Sequence, residues 1–183
     1  MANNVSGARG LLSIVLLSCF VSSARPAMYD VAKMEIDVKV RAQACDIRPG
    51  DADIHLDFGN VVKNDLYQNG YSDSKPFAIH LYKCDNRIAR SVSVRFVGRE
   101  SWRLKGNLAF NHNSLAHGAT IALETGEGKH ISINHSELIY PLMPGSMQLN
   151  YRAYIQGEPR AIENRRIISG YFSATTVFLL NYD

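Results

Sequence analysis

The stretch from Gly170 to Asp183 restricts the fold of this chain more than any other. After the glycine, every even position is apolar or nearly so: Phe172, Ala174, Thr176, Phe178, Leu180 and Tyr182. Alternation with a period of two, rich in aromatic and β-branched residues, predicts a half-buried strand that runs to the last residue. The odd positions (Tyr171, Ser173, Thr175, Val177, Leu179) are mixed, so part of that face is also expected to be covered. A long apolar strand at a terminus is unusual, because termini fray and open edges invite pairing with other chains. A chain that carries one has to do something with the edge.

A second alternating stretch lies near the start. Ala32, Met34, Ile36, Val38 and Val40 are apolar, and Lys33, Glu35, Asp37, Lys39 and Arg41 lie between them. A helix would spread these apolar residues around its whole circumference, whereas a strand places them on one face. Before it, Leu11 to Val21 forms a short apolar core that follows Arg9 and ends in Ser22-Ser23-Ala24. That pattern predicts a cleaved export signal over 1–24, since the run is too short for a membrane helix of about 20 residues. The rival is a lipoprotein signal ending at Cys19, with Leu17 fitting poorly where a small or β-branched residue is usual.

Removal of the signal leaves one domain's worth of chain and two cysteines, Cys45 and Cys84. An even count in an exported protein reads as one disulfide, with two free thiols as the alternative. The bridge would close a loop of 39 residues. In the chain-entropy model this stabilises by roughly 4 kcal/mol.

Between these landmarks, strands are predicted at Ile54–Phe58, at Phe77 to Cys84, at Ser91 to Val97, at Gly118 to Leu123, at Ile131–Ile133 and at Met147 to Ile155. Val61 to Ser74 reads as a polar connection with a turn at Asn69-Gly70, and Arg160 to Arg166 as a polar loop. Pro141 and Pro144-Gly145 bracket a bend. Without a convincing amphipathic helix, the pattern predicts an all-β sandwich.

Catalysis finds little support. His112, His117, His130 and His135 lack metal-ligand spacing, Ser136 and Glu137 are only sequence neighbours of His135, and Gly126-Glu127-Gly128 reads as a hairpin turn. No cofactor, no metal and no enzymatic role is expected. A net charge of +3 without a Lys/Arg block argues against nucleic acid. Trp102 with Arg99, Arg103 and Lys105 is either an ordinary loop or a sugar- or surface-binding patch.

The Gly170-to-Tyr182 terminus, the 118–123 segment, the Cys45/Cys84 pair and the extension before Cys45 together resemble pilus subunits of the chaperone–usher pathway, of the type 1 and P pilin kind. Asp57-Phe58-Gly59 also resembles a short strand end of that family. The resemblance implies an immunoglobulin-like sandwich lacking its seventh strand, divided as signal 1–24, donor-strand extension 25–40 and pilin domain 41–183. It implies that Gly170, Phe172, Ala174, Phe178, Leu180 and Tyr182 form a wall of the open groove. A periplasmic chaperone, and then the extension of a neighbouring pilin at the outer-membrane usher, would fill it. Ala32, Met34, Ile36, Val38 and Val40 would play the same donor role for another subunit, in a fimbria on the cell surface. Many members carry glycine seven residues before the first cysteine. Val38 stands there in this chain, which points to a minor or adaptor subunit. The alternative function is a free-standing extracellular lectin or adhesin sandwich.

Overall fold

The computed structural model describes residues 43–183. The expectations for the signal and for Ala32 to Val40 lie outside them. Among the described residues, eight strands form two antiparallel sheets. They are β1 (Asp46–Ile47), β2 (Lys75–Cys84), β3 (Ser91–Gly98), β4 (Ala119–Thr125), β5 (His130–Ile131), β6 (Leu138–Pro141), β7 (Gly145–Gly157) and β8 (Thr176–Tyr182). One sheet has the order β1-β2-β7-β4-β5 and the other β6-β3-β8. This is the two-layer all-β arrangement that the alternation predicts.

The inward positions of the long strands make the core. Ile79 and Leu81 of β2, Val92, Val94 and Phe96 of β3, and Leu149, Tyr151 and Ile155 of β7 are almost fully removed from water. Each such side chain contributes about 1.5–3 kcal/mol of burial. Phe96 meets Tyr151 edge to face, with ring centroids 5.0 Å apart, and Phe77 closes on both. β4 is buried on both faces except at Glu124, which explains its run of small and apolar residues. Gly126 and Glu127 form the turn into β5, as expected. The Cys45–Cys84 disulfide is present and ties the start of the domain to the end of β2.

Five expectations need correction. Val61 to Ser74 holds a helix, α1 (Lys63–Asn69), with Leu66 buried beneath it. The turn expected at Asn69-Gly70 is the end of this helix: Gly70 is its left-handed C-cap, with φ 85°, and donates its N–H to the Leu66 carbonyl. The 160–166 loop begins in a second short helix, α2 (Pro159–Glu163). Next to the expected bend, Leu138–Pro141 pairs with β3 as the short edge strand β6.

The other two concern segments read as strands: Ile54–Phe58 makes no ladder among the described residues, although Ile54, Leu56 and Phe58 are half-buried against the core. Likewise the terminal strand begins only at Thr176, because the main chain of Tyr171 and Ser173 bonds instead to the 111–116 loop.

Candidate functional site

β8 lies at the edge of its sheet and pairs with β3 alone, in the register Val92↔Tyr182 through Gly98↔Thr176. Beyond its end, Ser91 and Asp183 exchange both main-chain hydrogen bonds, at 2.9 and 3.1 Å. That pair sets the alternation: the odd residues of β8 turn their N–H and C=O toward β3. The even residues, Thr176, Phe178, Leu180 and Tyr182, turn theirs toward the free edge. Among the described residues nothing accepts or donates there.

The same even residues also point their side chains at the core, where they remain half-covered. Their partners across the ladder are not. Phe96 opposite Phe178, Val94 opposite Leu180 and Val92 opposite Tyr182 are buried. Burial therefore fails across one strand spacing of about 4.8 Å, on the side where the edge is open.

The second wall is the extended segment Ile54–Phe58. Among the described residues its main chain makes no hydrogen bond; just after it, the N–H of Gly59 donates to the Asp57 carboxylate at 2.8 Å. Contacts of flanking residues bound the space between this segment and β8 at its two ends. At one end the Tyr182 hydroxyl lies 3.5 Å from the Cys45 carbonyl. At the other, the rings of Phe58 and Phe172 are 6.2 Å apart, and Phe172 stacks on Phe110 at 4.8 Å. Between these points no main-chain bond joins the two segments among the described residues. The result is an apolar slot with two unpaired main-chain rails, a shape that matches one extended strand with alternate apolar side chains.

The structure brings together five of the expected wall residues, Phe172, Ala174, Phe178, Leu180 and Tyr182, all half-buried against one core. Burial, and next the Asp46 carboxylate, push the Tyr182 phenol above its ordinary pKa. Gly170 stands apart as an exposed residue, yet only glycine fits: a Cβ would lie 2.7 Å from that of Leu115. Ile54, Leu56, Phe58 and Phe110 belong to the slot without having been singled out. Their alternation was the available signal.

The histidines are scattered. His130 Nε2 is 2.9 Å from the Asn107 side-chain oxygen, His135 lies 3.6 Å from Glu100, and His112 and His117 border a cleft at the other end of the β3–β4 connection. Among the described residues no cluster of His, Cys, Asp or Glu could hold a metal ion.

A family model described as fimbrial protein matches residues 33–183. The chain belongs to the fimbrial protein family. A putative minor fimbrial subunit of Proteus mirabilis (strain HI4320), PmfF, is 28% identical over 155 aligned residues, in an alignment that covers 82% of this chain and 84% of the relative. The P pilus rod subunit PapA superimposes with a TM-score of 0.67 at 25% identity, over 77% of this fimbrial chain and all of that one. A structure of a chaperone–usher pilus gives a TM-score of 0.66, also at 25% identity, over 83% of this chain and 95% of that one. The fold is thus the immunoglobulin-like pilin sandwich, and this fimbrial chain is a structural pilus subunit of the chaperone–usher type.

Proposed function

We propose that the slot between Ile54–Phe58 and β8 accepts a strand from outside the domain, and that residues 25–40 donate the corresponding strand to a neighbour. The chain then polymerises into a surface pilus that contributes to cell adhesion. A periplasmic chaperone holds the slot first, and the outer-membrane usher presides over the exchange. The observation that carries this reading is the double exposure of the even residues of β8, whose side chains are only half covered and whose outward main chain has no partner among the described residues. One inserted strand remedies both. The similarity to a minor fimbrial subunit, together with Val38 at the donor position usually held by glycine, supports a minor or adaptor role.

The donor stretch supplies what the slot lacks. Burying Met34, Ile36, Val38 and Val40 contributes roughly 6–12 kcal/mol before ordering costs, with a run of main-chain hydrogen bonds in addition.

The test compares deletion of Arg25 to Val40, and the variant Ile36→Asp, with the wild type. Two quantities are read: the yield of chaperone-bound subunit and its incorporation into fibres. Normal yield with failed incorporation is expected, because a carboxylate in the slot costs several kcal/mol of desolvation. Low yield of both variants would make 32–40 an ordinary strand of its own domain. A purified chain that is a stable monomer without any partner would point instead to a closed lectin-like sandwich.

A further inference from the structure

Beyond the Phe110 end of the slot, the 99–118 connection and the segment following β7 enclose an open cleft of about 780 Å³, which shares Phe110 with the slot. That is within the range of small-ligand sites. Its lining includes Arg99, Arg103, Arg160 and Arg166, and its one carboxylate is Glu158. Glu158 is already engaged, 3.6 Å from Arg103, and its side chain is only 13% exposed. Among the described residues no acid lies within ion-pair distance of Arg99, Arg160 or Arg166. The Arg99 guanidinium is held by the Phe110 carbonyl at 2.8 Å, which fixes one corner of this positive field. Four arginines against one carboxylate leave an excess of fixed positive charge in a concave site, where field lines concentrate.

Trp102 stands in the same lining and is 73% exposed, the most exposed of the large apolar side chains described. Its ring is held in place: the Arg103 guanidinium lies 4.2 Å from the ring centroid. An indole left so open contributes little to the core, and its face is free to meet a ligand.

We infer that this cleft is a binding site for a short acidic saccharide bearing carboxylate or sulfate groups. Arginine forks match the planar or trigonal oxygens of such groups, and the exposed indole offers a flat apolar surface to the C–H face of a sugar ring. A nucleic acid would need a longer track of positive charge than this cleft provides. An acidic peptide would satisfy the arginines and leave Trp102 without a purpose.

The experiment uses the subunit with its slot filled, as recovered from the cell envelope in complex with its chaperone or in the fibre, and the chaperone alone serves as a blank. Affinities are measured for a heparin-derived hexasaccharide and for sialyllactose, with lactose, polyglutamate and an oligothymidylate as comparison probes. Binding to at least one acidic saccharide and not to lactose is expected. Trp102→Ala and the double variant Arg160→Ala/Arg166→Ala should each weaken it about tenfold. Lys105→Ala, a charge outside the lining, should leave it unchanged. All these positions are exposed, so the variants keep the core. The inference fails if neither acidic saccharide binds, or if Trp102→Ala binds as tightly as the wild type. It fails equally if polyglutamate or the oligothymidylate binds as well as the saccharide, since the cleft would then read charge alone.

Discussion

Asp51 and His80 are joined twice: the main-chain N–H of His80 donates to the Asp51 carboxylate at 2.6 Å, and the ring Nδ1 lies 2.7 Å from the same oxygen. The pair fastens the turn after β1 to the middle of β2, just where the chain leaves the sheet for the wall of the slot. Burial raises the Asp51 carboxyl, but the two hydrogen bonds from His80, its charge and that of Arg48 outweigh it, and the net shift is downward. A carboxyl lowered in the folded state stabilises above its unfolded pKa of about 3.9 and loses that contribution as pH falls through the folded value. Asp51→Ala should therefore cost about 1–3 kcal/mol at pH 7 by urea unfolding, and the gap to wild type should narrow below about pH 4.

Leu180 allows the free edge to be tested apart from the packing. Its side chain faces the core and its N–H faces outward, so proline there leaves the bonds to β3 intact. Leu180→Ala should lower the recovery of chaperone-bound subunit and Leu180→Pro should abolish it. Equal recovery of the two variants would show that the outward N–H has no partner.

Asn107, almost fully buried, is the hub of a polar network. Its amide donates to Thr120 Oγ1 at 3.1 Å and to Gln156 Oε1 at 2.7 Å, and its oxygen meets His130. Strands β4 and β5 and the end of β7 are thereby stitched to one loop residue. Asn107→Ala should cost about 1–3 kcal/mol, seen as a lower thermal midpoint, because buried Thr120 and half-buried Gln156 lose a partner at once.

The bridge between Cys45 and Cys84 fixes the first residues of the domain beside Tyr182, the far end of the slot. Cys45→Ser should reduce the subunit recovered from the periplasm, through loss of roughly 4 kcal/mol. Quantitative immunoblotting against wild type measures it, and undiminished recovery would show that the bridge is dispensable.

Much of the sandwich was legible because its long strands are covered on one face, which writes a period of two into β2, β3 and β7. The same signal misled at Ile54–Phe58. Alternation reports that a segment has a wet side and a dry side; it does not report whether main-chain partners exist. The distinction is what makes this segment a wall of the slot and not a paired strand. Helix α1 was illegible for another reason: seven residues with a single buried side chain, Leu66, cannot display a helical period. The start of β8 was placed too early because Phe172 and Ala174 keep the alternation while the main chain around them is claimed by a loop. The cleft around Trp102 was half visible. Trp102, Arg99 and Arg103 are near in sequence, whereas Arg160 and Arg166 arrive only through the fold.

The pairing of Val92 with Tyr182 has a consequence for the order of events in time. β3 is made early, and the strand it needs on that side follows roughly eighty residues later. Local contacts cannot substitute, so closure of this sheet is a late, high-contact-order step. During that interval Val92, Val94 and Phe96 present an apolar ribbon with an open main chain on one side. When β8 finally docks it covers that ribbon, and the vacancy passes outward by one strand to its own far edge.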